Sequence, residues 1–221
     1  MARLARVIVP KYPHHITQRG NRNQIVFFND DDRKEYLRLI AYHARLNQVL
    51  IWAYCLMDNH VHFIAVPETG EGLSRCFQEA HRLYTRRINF REGWRGFLWQ
   101  GRFASYPMDE KYLIAGIRYV ESNPVNAGLV DKAEDYIWSS AKAHISKSYD
   151  PLLNPCYLTD QIKDWSEYLR TEDKVNINNI EKCTKTGRPL GSIDFVNKIE
   201  TMLGRTIKKQ KPGPKPVPIN N

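Results

Sequence analysis

The first strand-like stretch of the chain is residues 12–19 (Tyr-Pro-His-His-Ile-Thr-Gln-Arg), closed by the polar loop Gly20-Asn21-Arg22-Asn23. Acidic side chains suit a helix N-terminus, so Asp30, Asp31 and Asp32 are expected to cap a helix reaching about Asn47. Within it Tyr36, Leu39, Ile40, His43 and Leu46 recur at helical spacing. Residues 49–57 are rich in strand formers, Asp58-Asn59 suits a two-residue hairpin turn, and residues 60–66 return as a strand that Pro67 ends. A second helix is expected over about 71–90 and a short strand near Arg102–Tyr106, broken by Pro107. Asp109 can cap a third helix, which Asn123-Pro124 stops at about Ser122.

The order strand, helix, strand, strand, helix, strand, helix contains two βαβ-like halves. It predicts an α+β fold: a ferredoxin-like, mainly antiparallel sheet with helices packed on it. One domain is expected over residues 1–145. After about residue 145 the pattern weakens, and 146–184 reads as an irregular acidic linker. Residues 185–221 read as a short helical segment, opened by Lys185-Thr-Gly-Arg-Pro-Leu-Gly191, and a flexible basic tail rich in proline from Lys208 to Pro216. No internal repeat is visible.

Composition narrows the classes. The 221 residues are 42% hydrophobic and 11% aromatic, which excludes a mainly disordered chain. No run of about 18 apolar residues occurs, so no membrane span is expected, and the apolar run near the start is too short for a signal peptide. Cys55, Cys76, Cys156 and Cys183 are scattered, which argues against a disulfide framework or a cysteine zinc site and for a reducing, cytoplasmic setting. The net charge of +9 points to a polyanionic partner. It is uneven: residues 75–102 hold seven arginines and no lysine. Guanidinium forks match phosphate oxygens bidentately, which lysine does less well.

Candidate chemistry starts at His60-Val61-His62. Side chains at i and i+2 of a strand share a face, so both imidazoles can converge on one point. Two neutral imidazoles make two-thirds of a divalent-metal site. Taken alone, the triplet is described better by two half-buried strand histidines. A further ligand and a nucleophile are available on the third helix, where Tyr119 and Asn123, at i and i+4, are neighbours on one face. Asn123 could ligate a metal through its amide oxygen while Tyr119 points its hydroxyl at the same cleft. The plainer readings are a core tyrosine and a helix stop.

Four stretches in order resemble the single-tyrosine (Y1) transposases of the HUH nuclease superfamily, IS200-like, and within them the REP-associated tyrosine transposases. They are Tyr12-Pro-His-His-Ile-Thr-Gln-Arg-Gly-Asn21, Met57-Asp-Asn-His-Val-His-Phe63, Arg118-Tyr-Val-Glu-Ser-Asn-Pro-Val-Asn-Ala-Gly-Leu-Val130 and Tyr136-Ile-Trp-Ser-Ser140. Together they span about residues 10–145, and Thr186-Gly-Arg-Pro-Leu-Gly191 is similar to the REP-associated subgroup. The resemblance implies metal-binding His60 and His62, a nucleophilic Tyr119, and Asn123 completing the metal site where some relatives have Gln. Asp58 stands where many relatives have proline, a change in the turn only.

The implied reaction is cleavage and transfer of single-stranded or hairpin DNA at palindromic repeats through a 5′-phosphotyrosine, with Mg²⁺ or Mn²⁺. Localisation is then expected at the nucleoid, and a monomer and a homodimer both stay open. Arg75, Arg82, Arg86, Arg87 and Arg102 are the first candidates for phosphate contacts, with Arg91 and Arg95 of the same block. Arg19 and Arg22 come second. Arg188, in Gly187-Arg188-Pro189, could lie in a groove with the tail as an extended arm. The interleaved Tyr84, Phe90, Trp94, Phe97 and Trp99 could stack bases, though about half are expected in the core. The alternatives are a repeat-hairpin binding protein that no longer cuts, and an RNA-binding ferredoxin-like domain, which would need aromatic rings on the sheet face where the histidines stand.

Overall fold

The first helix is not capped by any of its three aspartates. In the computed structural model, which describes residues 5–171 and 173–208, Asn29 is the N-cap and its side chain accepts from the Asp32 amide. The aspartates fill the first turn of α1 (Asp30–Leu46), where a carboxylate meets the positive end of the helix dipole. Asp32 is fully buried there, accepting from the Phe28 amide and pairing bidentately with Arg91.

The strands are β1 (His14–Arg19), β2 (Val49–Met57), β3 (His60–Pro67) and β4 (Ala104–Pro107). They form one antiparallel sheet in the order β2-β3-β1-β4. Asp58 and Asn59 make the expected tight turn. β4 sits two residues later than its sequence suggests and Pro107 is its last residue, which an edge strand tolerates because half of its amides have no partner strand.

Each face of the sheet carries a core. On one face α1 and α2 (Gly72–Glu92) cover Ile16, Ile51, Leu56, Val61, Phe63 and Ala65. On the other, α3 (Glu110–Glu121) covers Ala53, Cys55, Met57, Ile64 and Tyr106. Asp109 caps α3 by accepting from the Tyr112 amide, and a single turn, α4 (Asn123–Asn126), follows it.

The stretch read as an irregular linker is largely helical from residue 157 on. After α5 (Ala141–Ser146), it holds α6 (Tyr157–Gln161), α7 (Trp165–Arg170) and most of α8 (Lys174–Thr186). Leu158, Trp165, Tyr168, Leu169 and Ile180 join the core under α3. Helices of five or six residues span too few turns to show a period, and here tertiary burial rather than propensity stabilises them. The expected last helical segment is α9 (Ile193–Leu203), capped by Ser192; Phe195 and Ile199 bury Val7 and Val9 against it. The basic tail expected over Lys208–Pro216 lies outside the described residues beyond Lys208. No helix among the described residues is long and apolar enough to cross a membrane.

Candidate active site

β3 is the foundation of the site. Its side chains alternate, so Val61, Phe63 and Ala65 enter the core beneath α1 and α2, while His60, His62 and Ile64 point to the α3 layer. The His60 and His62 rings meet edge-on, 4.9 Å between centroids. α3 lays Tyr119 across them: its ring is 5.5 Å from that of His62, again edge-on. The Asn123 side chain, one turn on, is near enough to Tyr119 to favour its ionised form. Four residues singled out in the sequence therefore share one cleft. Arg19 joins them, since β1 pairs it directly with His60 and its charge bears on His60, His62 and Tyr119.

The electrostatics keep both imidazoles neutral. Burial, then the Arg19 charge, lowers the His60 pKa to about 4. Burial pushes His62 well below the usual range, helped by His15, His60 and Arg19. Tyr119 moves the other way. Burial and the charge of Glu181 raise its pKa, opposed by the Asn123 side chain and Arg19.

The donor set suits a divalent cation with mixed nitrogen and oxygen ligands. His60 Nδ1 lies 2.6 Å from Asn59 Oδ1, and His62 Nδ1 lies 2.9 Å from His15 Nε2. Each ring is thus tied through Nδ1, and neither Nε2 has a hydrogen-bond partner among the described residues. Ligating histidines are held in this manner, one nitrogen fixed by the protein and the other free. No group of three or more His, Cys, Asp or Glu side chains suited to a metal occurs among the described residues. Any cation here therefore rests on two imidazoles, an amide and its own waters or phosphate.

The other arginines do not meet this cleft. Arg75, Arg82, Arg86 and Arg87 stand on α2, in the helical layer on the opposite face of the sheet. Arg75 pairs with Glu71 and Arg82 with Glu79 along their own helix. Arg91 is held by buried Asp32, a structural ion pair. Arg102 is exposed in the loop before β4, and Arg22 is exposed in the turn after β1 at φ 54. Arg188 donates to the Ile207 carbonyl, tying the chain's C-terminal segment. Of the aromatics, Tyr84 and Trp99 are core residues, whereas Phe90 is 90% and Phe97 85% exposed.

Three groups at the site escape the sequence pattern: His15, Tyr106 and Glu181. His15 lies parallel to His62 with ring centroids 5.1 Å apart and meets the Tyr119 ring edge-on at 5.8 Å. The His14-His15 pair was a visible signal, but which of the two faces the cleft depends on strand pairing. His14 in fact turns away, binding the Val9 amide and the Tyr12 carbonyl. A cavity of about 350 Å³ opens beside Tyr119, lined also by Arg118, Asn126, Lys132 and Arg170.

Comparison with known proteins bears on the family and the fold. The sequence model of the IS200-like transposases matches residues 9–123. The structure of a REP-associated tyrosine transposase bound to a REP hairpin is similar at a TM-score of 0.58 and 19% identity, covering 71% of this chain and 93% of that one. A putative transposase from Deinococcus radiodurans R1 aligns over 55% of this chain and 97% of its own at 19% identity, with a TM-score of only 0.37. No curated protein matches.

Proposed function

The chain belongs to the IS200-like transposase family, and from that premise we propose that it cuts and rejoins single-stranded DNA at repeat hairpins, with Tyr119 as the nucleophile. The observation that carries this reading is the convergence of Tyr119, Asn123, His60 and His62 from β3, α3 and α4 on one cleft.

Tyr119 Oη attacks the scissile phosphorus in line. The new bond is Oη–P, the bond that breaks is P–O3′, and the released 3′ oxygen takes up a proton. The 5′-phosphotyrosine keeps the phosphodiester energy, so a second 3′-hydroxyl can reverse the step and join strands. A buried phenol with a raised pKa does not ionise unaided near pH 7. Asn123 and Arg19 favour its ionised form, and Asn123 carries both an amide donor for the phenol and an oxygen for a cation. His60 and His62 would hold Mg²⁺ or Mn²⁺ through Nε2 with the Asn123 oxygen. When bound, that ion neutralises charge on the phosphate and favours ionised groups nearby. The cavity beside Tyr119 balances Arg118, Lys132 and Arg170 against Asp131, Glu134 and Asp173, with Arg118 paired to Asp173, so it offers DNA no net positive charge. Arg22 and Arg102 extend the basic surface along the loops near Arg19, and Gly20 bridges to Trp99 between those loops. The α2 arginines would hold duplex or flanking DNA away from the cut.

The test is incubation with Mg²⁺ and a labelled single-stranded hairpin carrying the repeat that flanks the gene. A slow-migrating covalent adduct is expected from the wild type and none from Tyr119→Phe. Hairpin binding that persists without any adduct in the wild type would overturn the cutting reaction in favour of a binding protein.

A further inference from the structure

We propose that Tyr106 and His15 are positioning residues that fix His62 as its Nδ1–H tautomer, so that its Nε2 lone pair faces the cleft. The proposal rests on the reading of His62 as a metal ligand and names what makes it one.

The hydrogen bonds run in a chain whose direction can be worked out from its far end. The Ile180 carbonyl, on α8, can only accept. It lies 3.1 Å from Tyr106 Oη, and of the two only the phenol has a proton to give, so Tyr106 donates to it. Thr184 gives its own hydroxyl proton to the same carbonyl at 3.0 Å, and has none left for Tyr106. Tyr106 Oη is then the acceptor for His15 Nδ1 at 2.7 Å, which places the His15 proton on Nδ1. The second nitrogen of a neutral imidazole is an acceptor, so His15 Nε2 receives the bond at 2.9 Å from His62 Nδ1. The two rings lie within 5° of parallel, His62 and Tyr106 are fully buried or nearly so, and water does not compete.

The reverse direction makes one hydrogen bond fewer. If His62 carried its proton on Nε2, Nδ1 would accept from His15 Nε2–H, His15 Nδ1 would accept from Tyr106, and the Tyr106 hydroxyl could no longer donate to the Ile180 carbonyl, which would keep only its Thr184 side-chain donor. One backbone carbonyl on α8 therefore selects the proton position on a ring two side chains away. α8 lies beyond residue 123, where the family match ends, so a helix outside the matched segment completes the site.

The experiment uses the full chain labelled with ¹⁵N-histidine. Long-range ¹H–¹⁵N correlation of the metal-free protein is expected to show His62 and His15 both protonated at Nδ1 and bare at Nε2. Mn²⁺ binding, read from the electron paramagnetic resonance of the free ion, is expected to weaken about 10–100-fold in Tyr106→Phe and His15→Leu. His15→Gln, whose amide oxygen can accept from His62 Nδ1–H, should recover most of that affinity. Circular dichroism and melting check that each variant folds, and if Tyr106→Phe does not, the two His15 variants decide. A wild-type His62 protonated at Nε2, or unchanged Mn²⁺ affinity in folded His15→Leu, overturns the proposal. A wild type that takes up no Mn²⁺ removes the metal-ligand reading instead, and the tautomer spectrum still judges the relay.

Discussion

Glu121 stands between Tyr119 and Asn123 in the chain and is fully buried, yet it points to neither. Its carboxylate accepts from Ser140 Oγ, from His144 Nδ1 at 2.6 Å and from Trp165 Nε1 at 2.7 Å. It thereby pins the C-terminal end of α3 to α5 and α7. Replacement by leucine keeps much of the volume and strands the three donors to different degrees. Ser140 can turn to the Tyr54 carbonyl, 3.3 Å away, and His144 is at the edge of solvent, but Trp165 is 5% exposed and has no other acceptor. A hydrogen bond to a charged group contributes about 1.5–3 kcal/mol, and a stranded buried donor costs about 1–3 kcal/mol. With one donor fully stranded and two partly relieved, Glu121→Leu should destabilise the fold by about 3–5 kcal/mol, the range for breaking a buried pair. In a chain of this size that is a fall in melting temperature of about 10 °C. Urea unfolding of wild type, Glu121→Leu, Trp165→Phe and the double variant gives the loss and its coupling, expected at about 1.5 kcal/mol or more for residues in contact. A loss below about 1 kcal/mol, or additive single effects, refutes the reasoning.

The buried His81 gives a pH prediction. Burial lowers its pKa from 6.5 to about 3, with Arg6 adding to the shift, and its Nε2 is bonded to the Tyr36 hydroxyl. The unfolded chain protonates this ring below pH 6.5 and the fold does not, so its contribution is complete above 6.5 and is lost as pH falls toward 3. At pH 5.5 the loss is about 1.4 kcal/mol from this group alone. Urea midpoints of wild type and His81→Gln between pH 4.5 and 7.5 should diverge in slope, and parallel curves would contradict the assignment. Gly20→Ala should lower the melting temperature by several degrees, because the added Cβ would sit 2.2 Å from the Gln24 carbonyl oxygen and 2.8 Å from Val26 Cγ1. Gly70→Ala, which meets nothing within 4 Å, is the control; equal effects at both positions would sink the packing explanation.

Periodicity and turn chemistry made much of this architecture readable. The Asp58-Asn59 turn, the two strands it joins and the Asp109 cap are local features with local signals. So was the sharing of one face by His60 and His62, and by Tyr119 and Asn123. What stayed hidden depends on distant pairing. His15 meets partners 47 and 91 positions away, and only the register of β1 against β3 turns it, rather than His14, toward the cleft. Glu121 is charged and reads as surface, because its donors come from residues 140, 144 and 165. The arginine block showed how many guanidinium groups the segment carries, but not on which side of the sheet they stand or which of them carboxylates hold. α6 and α7 were illegible because their burial, not their sequence period, makes them helices.

β3 carries two occupations on alternate positions: odd residues build the core under α1 and α2, and even residues equip the cleft. Under substitution the two are separable. Val61, Phe63 and Ala65 can drift among apolar residues of similar volume without moving an imidazole, and the cleft can vary while the core stays filled. Under insertion or deletion they are not separable. One residue gained or lost between the turn and His62 would carry the histidines into an apolar core and present Val61 and Phe63 to the cleft. This strand can thus accumulate replacements freely while its length is held, and the lineage of the protein should record changes of residue in β3 but not of spacing.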